Sequence, residues 1–152
     1  MPDLVFRRAT EADLPAIIGL LADDILGSSR EATGAESYPQ YLNAFRAIDA
    51  DANQYLLVVD DGTGIAGTLQ LTFIAGLAHG GLKRGQIEAV RVASDRRGAK
   101  IGEAMFDWAF EQCRRERCGI VQLTTDKART DAHRFYDRLG FEPSHIGYKI
   151  KL

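Results

Sequence analysis

The residues with the clearest chemical potential form a basic, glycine-bearing turn, Arg97-Gly98-Ala99-Lys100-Ile101-Gly102, set between two stretches of different period. Ahead of it, Gln86 to Val92 carries the β-branched Ile87, Val90 and Val92 without proline, and reads as a strand. Beyond it, Ile101, Ala104, Met105, Trp108, Ala109 and Cys113 recur at the three-and-four spacing of a helix. A helix entered from such a turn leaves its first backbone N–H groups unpaired and aimed back along the chain. Glycines in the turn let a ligand approach that backbone closely. The chemistry this end favours is the binding of phosphate.

The other elements must position that turn. Leu4 to Arg7 reads as a first strand, and Thr10 caps a helix that closes its capping box with Asp13 and runs to about Asp24. Leu14, Ile17, Ile18 and Leu21 form its apolar stripe, and Pro15 is tolerated in the first turn. Gly27, Ser28, Ser29, Thr33 and Gly34 suggest a loop. Tyr38, Tyr41, Leu42, Phe45 and Ile48 suggest a helix, whose aromatic residues either pack or border a ligand. Gln54–Asp60 and Ile65–Ala75 read as a hairpin about Asp61-Gly62-Thr63-Gly64, followed by a looser stretch, Gly76–Gly85, with His79 exposed. The strand at Gln86 makes the sheet a meander. The helix after it and a strand over Gly119–Thr124 add a parallel crossover, so the order of elements is that of an α+β protein.

The 152 residues suit one domain with a real core, and a formal net charge of −2 gives no reason to expect a nucleic-acid or membrane partner. The run Arg114-Arg115-Glu116-Arg117 reads as a solvated helix end. Two cysteines, Cys113 and Cys118, lack the spacing of a disulfide framework or a zinc site, and Cys113 reads as apolar filling rather than as a nucleophile. With fold-like sequence following directly on Met1-Pro2-Asp3 and no long apolar run, the expected compartment is the cytoplasm.

The turn resembles the pyrophosphate loop of the GNAT superfamily of acyl-CoA-dependent N-acetyltransferases, Gln/Arg-x-x-Gly-x-Gly/Ala between a strand and a helix. Arg97 and Gly102 fit it, and Lys100 stands where its first glycine is expected. Either Lys100 accepts the backbone required and adds a cation, or the loop is reshaped. A second motif, Asn-x-x-Ala-x-x-x-Tyr-x-x-x-Gly-Phe, is matched in register by Ala132, Tyr136, Gly140 and Phe141, with Arg129 at the Asn position. Taken alone, Tyr136 to Phe141 is a helix C-terminus, with Gly140 suited to a left-handed cap. The resemblance covers nearly the whole chain. It implies a GNAT-like fold over residues 1–152: a mixed, mostly antiparallel central sheet with a splayed parallel strand pair, flanked by helices.

The resemblance further implies direct transfer of an acetyl group from acetyl-CoA to a primary amine, without a metal. Pantetheine would pair with the backbone of Val90, Arg91 and Val92. The pyrophosphate would sit on the N–H groups from Gly98 through Ala99, Lys100, Ile101 and Gly102 to Glu103, near the Arg97 and Lys100 side chains, with Arg129 reaching a phosphate. Arg134 or Lys127 are candidates for the adenosine phosphate, whereas His133 reads as an exposed helix residue. Such a reaction needs a base for the amine proton and an acid for the departing thiolate. The resemblance assigns the acid role to Tyr136. Glu88, on the strand face opposite Ile87, is the candidate base, acting through water, unless it serves only to pair with Arg91. In such proteins the segment around Tyr38 to Phe45 commonly shapes the acceptor site, and homodimers are common. A different class of function, a non-catalytic acyl-CoA-binding regulatory module, is suggested by Lys100 and Arg129.

Overall fold

Alternation along the strands gives the sheet two apolar faces, and each face has recruited its own helices. The computed structural model describes residues 3–23 and 25–152. The expectations that fell on Met1 and Pro2 (no leader) and on Asp24 (the end of the first helix) lie outside the described residues. Five strands, β1 (Val5–Arg8), β2 (Gln54–Asp60), β3 (Ile65–Ile74), β4 (Arg84–Val92) and β5 (Ile120–Leu123), lie side by side in chain order. Each neighbouring pair among the first four is antiparallel, and β4–β5 is parallel. This is the mixed sheet expected, and the α+β class with it.

Leu57 and Val59 of β2 face a core completed by Leu69, Leu71, Ile87 and the helix α5 (Ile101–Arg115), through Met105, Phe106, Ala109 and Cys113. Val58, between them in sequence, faces the other way, toward α1 (Leu14–Ala22) and α3 (Tyr38–Ala50), through Leu14, Ile17, Ile18 and Phe45. Phe106, absent from the stripe read in the sequence, is fully buried and centres an aromatic cluster with Phe110, Phe135, Tyr136 and Phe141. Cys113 is buried there as well, and burial pushes its thiol up to about 12, so it stays protonated filler.

The first strand and first helix are clamped by one carboxylate. Asp13 Oδ2 accepts the Thr10 N–H at 2.8 Å, one of the bonds of a capping box, and also the Thr10 hydroxyl at 3.1 Å. Arg7 donates to both Asp13 oxygens, at 2.6 and 2.9 Å. The Arg7 guanidinium, with the Thr10 donors, holds the nearly buried carboxyl down at about 2.

Two expectations need correction. The Gly-Ser stretch read as a loop enters a short helix, α2 (Ile25–Arg30), because its polar groups bond within the segment: Ser29 Oγ and Arg30 Nε both donate to the Leu26 carbonyl, at 2.9 and 3.2 Å. The looser stretch Gly76–Gly85 turns tightly once, at α4 (Ala78–Gly81), where the exposed His79 and Gly80 and Gly81 all have positive φ, and β4 begins at Arg84 rather than Gln86. The last helix, α6 (Thr130–Leu139), ends as expected. Gly140 has φ +95°, and the Phe141 N–H donates to the Tyr136 carbonyl at 3.1 Å. Among the described residues no helix is long and apolar enough to cross a membrane.

Candidate active site

β4 and β5 pair only from Arg84↔Ile120 to Ile87↔Leu123. From Glu88 onward β4 continues to Val92 while β5 has ended, so the β5-facing backbone edge of residues 88–92 has no strand partner. The gap opens at the C-terminal ends of a parallel pair, where the crevices of such sheets receive ligands. Val90, Arg91 and Val92 lie along this open edge, where the sequence placed them.

A bulge re-phases β4 at the mouth of the gap. Gln70 pairs with Glu88 and Thr68 with Arg91, so Ala89 and Val90 together stand opposite Leu69. Ala89 takes φ +54°, a left-handed conformation that costs a non-glycine residue roughly 1–2 kcal/mol. Because of the extra residue, Val90 and Val92 continue the Ile87 face and pack on the α5 core, while Glu88 and Arg91 share the opposite face with Gln70 and Thr68. Nothing in the sequence announced this. A glycine or asparagine would be the usual signal, and alanine hides it.

The turn after β4 adopts the backbone that an anion site needs. Gly98 has φ +88° with open space where a Cβ would stand, and Lys100 has φ +60°, ψ +23° as the residue preceding α5. Lys100 therefore accepts the left-handed conformation for which the family motif uses glycine, and its side chain is exposed. No side chain caps α5; its first internal bond is from the Ala104 N–H to the Lys100 carbonyl, at 3.2 Å. The N–H groups of Ile101, Gly102 and Glu103 precede that bond and face the turn. Gly102 serves packing: a Cβ there would come within 3.3 Å of the Phe135 ring, so its absence lets α6 close over α5. Arg97 and Ala99 are exposed beside the turn, whereas Arg96 is held by Asp61 at 2.7 Å.

α6 brings Tyr136 to the gap. Its ring packs on Phe106, Phe135 and Phe141 with centroids 5.7–6.0 Å apart. The hydroxyl has no hydrogen-bond partner among the described residues. Burial pushes the phenol up from its ordinary value, against the opposing charges of Arg129 and Arg91. The phenol is therefore protonated at neutral pH. Arg129 stands at the residue preceding α6, outside the helix, with φ −91° and ψ 66°. Thr125, just past β5, buries a hydroxyl oxygen with no hydrogen-bond partner among the described residues, and sequence reading missed it. Such an orphan at the end of the gap has the chemistry to meet a ligand. Lys127 and Arg134 are exposed, and Arg134 is engaged by Asp131 at 3.0 Å. His133 is half-buried rather than exposed and bonds through Nε2 to the Asp126 carbonyl oxygen, 2.9 Å away, so it shapes the loop before α6.

Glu88 is exposed, and its side chain has no ion pair or hydrogen bond among the described residues. Its cross-strand neighbour Gln70 lines a cavity of about 160 Å³ between the sheet and α1 and α3, together with Ala89, Thr68, Tyr41 and Phe45. A wider cleft of about 450 Å³ lies beyond, between α1 and residues 32–41, and Tyr41 borders both. The Tyr41 hydroxyl donates to Glu31 at 2.6 Å and accepts the Ala32 N–H at 3.0 Å, so it pins this segment. Of the aromatic residues in question, Phe45 is core and Tyr38 and Tyr41 border open space. Among the described residues no group of three or more His, Cys, Asp or Glu side chains is placed to hold a metal ion.

Residues 21–141 match the profile of the acetyltransferase (GNAT) family. The chain is 30% identical over 149 residues to an aminoalkylphosphonate N-acetyltransferase of Salmonella typhimurium, covering 97% of this chain and 91% of that protein. Its fold is similar to the crystal structure of a transcriptional regulator from Bacillus halodurans C-125, with 43% identity, TM-score 0.94, and 99% and 100% of the two chains covered. It is also similar to a putative acetyltransferase from Agrobacterium tumefaciens, with 24% identity, TM-score 0.83, and 97% and 99% covered.

Proposed function

The chain belongs to the GNAT family of acetyltransferases, and from that premise we propose that it transfers an acetyl group from acetyl-CoA to the primary amine of a small acceptor. The observation that carries this reading is the coincidence of three features at one gap. They are the unpaired edge of β4, the uncapped start of α5, and the buried, protonated phenol of Tyr136.

Pantetheine would extend along residues 88–92 and pair with their free edge as a strand would. The pyrophosphate would rest on the N–H groups from Gly98 to Glu103, with Arg97 and Lys100 adding charge from outside. The acetyl carbonyl then lies in the gap between the coenzyme side and the α1–α3 side. A neutral amine attacks the carbonyl carbon, and the thioester π electrons move to oxygen, where a strand N–H stabilises the charge. Collapse breaks the C–S bond, and Tyr136 gives its proton to the leaving sulfur. The amine proton passes through water to Glu88, whose carboxylate faces the cavity side. The products are the N-acetyl amine and free CoA.

The acceptor would enter by the cleft bordered by Tyr38 and Tyr41. The relative that acetylates aminoalkylphosphonates makes these compounds the first acceptors to try. We place the protein in the cytoplasm as a homodimer, with no nucleic-acid or membrane partner. Purified protein given acetyl-CoA and a panel of amines, aminoalkylphosphonates included, should release thiol with at least one of them. Tight acetyl-CoA binding with no turnover on any amine would replace this reading with that of an acyl-CoA-binding regulatory module. The 43% identity to a protein described as a transcriptional regulator favours that second reading.

A further inference from the structure

The two cavities on the α1–α3 side of the sheet carry no charge. Among the described residues no Lys, Arg, Asp or Glu side chain lines either of them. The inner one, of about 160 Å³, is walled chiefly by Leu14, Ile17 and Leu21 of α1, Phe45 and Ile48 of α3, and Leu56 of β2. A cavity of about 150 Å³ lined by Leu, Ile and Phe stays dry and takes up benzene. The space is therefore suited to a ring or a branched alkyl group, held by burial of apolar surface rather than by hydrogen bonds.

The polar side chains on this wall already donate within the protein. The Thr68 hydroxyl donates to the Leu57 carbonyl at 2.7 Å. The Gln70 amide donates to the Gln54 side-chain oxygen at 2.7 Å, and Gln54 in turn donates to Asp51 at 3.2 Å. The Tyr41 hydroxyl donates to Glu31 at 2.6 Å. The bonds that leave the wall thus end on a carbonyl or on carboxylates. Arg91 shares the strand face of Thr68 and Gln70 but lines neither cavity, and its Nη1 donates to the Val90 carbonyl at 2.8 Å. An anionic group entering here would lose its hydration and meet no cation on the wall. The cavity also reaches the reacting gap: Ala89 of the β4 bulge is on its wall, next to Val90 of the open edge, and so is Gln70, the strand partner of Glu88.

We infer that the acceptor is an amine carried on an uncharged apolar group of about the size of a benzene ring, which fills the cavity between α1, α3 and the sheet while the amine stands toward Glu88. The inference rests on the acetyl transfer proposed above and names its substrate class. It divides acceptors of equal arm length by what the arm carries: a ring is drawn into the cavity, whereas a phosphonate or carboxylate is kept out of it by the cost of burying an unpaired charge.

The test compares 2-phenylethylamine with 2-aminoethylphosphonate, which share a two-carbon arm and differ in the group at its end, at saturating acetyl-CoA. The expected result is a kcat/KM at least about tenfold higher for 2-phenylethylamine. In protein carrying 13C-labelled Ile and Leu methyl groups, with CoA bound, 2-phenylethylamine should shift the Leu14, Ile17 and Ile48 resonances, and 2-aminoethylphosphonate should not. Ala44 lines the cavity from an exposed position on α3, so Ala44→Phe narrows the entrance without loading the core. It should lower the preference for 2-phenylethylamine over propylamine about tenfold. Turnover of 2-aminoethylphosphonate equal to or above that of 2-phenylethylamine would overturn this inference and leave acetyl transfer standing. A preference for the ring without those methyl shifts would overturn the cavity as its seat. No turnover of any amine would overturn acetyl transfer, and this inference with it. Should Ala44→Phe not fold, the rates and the methyl shifts still decide.

Discussion

The two faces of the sheet are built by different means. On the coenzyme side, the groups that would meet the ligand belong to the backbone: the open edge of residues 88–92, the left-handed turn at Gly98 and Lys100, and the first N–H groups of α5. On the proposed acceptor side the walls are side chains: Thr68 and Gln70 line the cavity between α1, α3 and the sheet, Tyr38 lines the cleft beyond it, and Tyr41 borders both. Backbone geometry recognises a constant shape, such as a diphosphate on a strand-like arm, and tolerates changes of residue that keep the same φ and ψ. Lys100, in place of glycine, keeps such a left-handed φ and ψ. Side-chain walls set which amine fits, and they change with every substitution.

If this division is right, variants of the two sides should separate in kinetics. The largest effect is expected where the sides meet. Tyr136→Phe keeps the ring packing but removes the proton, so turnover should fall about tenfold or more with acetyl-CoA affinity unchanged. Unchanged turnover would remove the acid role. Gly98→Val comes next. Nothing crowds a side chain there, but φ +88° costs a β-branched residue roughly 1–2 kcal/mol or more, so calorimetry should show acetyl-CoA binding weakened about tenfold. The amine KM measured at saturating acetyl-CoA should not move. Equal damage to both substrates would break the comparison.

The carboxylate that clamps α1 gives an intermediate effect. Asp13 ionises at about 2 in the folded protein against an ordinary 3.8, so its contribution is complete above pH ~4 and is lost as pH falls toward about 2. Denaturant titrations should show Asp13→Asn costing about 1–2 kcal/mol at neutral pH, with the difference shrinking as the pH is lowered through that window. Tyr41→Phe should raise the amine KM by roughly threefold, because it releases residues 31 and 32 from the cleft wall, and should leave acetyl-CoA binding intact. The smallest effect belongs to Lys100→Gly. It relieves the left-handed backbone and removes an exposed cation, so the protein should gain about 1 kcal/mol of stability. Acetyl-CoA binding should weaken about twofold at low salt and scarcely at all at high salt.

The same division governs what could be read from residues alone. The strand, turn and helix around Arg97 to Gly102 were legible because backbone-binding sites are written in period changes and glycines. The capping box at Thr10 and Asp13 and the cap at Gly140 were legible for the same local reason. The bulge at Ala89 was not, since tertiary pairing with β3 imposes a positive φ on a residue that does not advertise it. The helix at Ile25–Arg30 was missed because Gly27, Ser28 and Ser29 read locally as a loop, whereas Ser29 and Arg30 bond back to Leu26. Gly102 was legible as a glycine of the turn, but its second role was not: it admits Phe135, a contact between two helices distant in sequence. The acceptor walls depend on how α1 and α3 lie over Gln70 and Ala89, which no short window contains.

Whether backbone amides hold the coenzyme is decided by titrating 15N-labelled protein with CoA and following every amide resonance. The amides of Gly98 to Glu103 should shift most and saturate together, those of residues 88–92 should shift with them to a lesser extent, and those of α3 should scarcely move. Tight binding that left the Gly98–Glu103 amides unshifted would contradict this, because the diphosphate would then be held somewhere other than the start of α5.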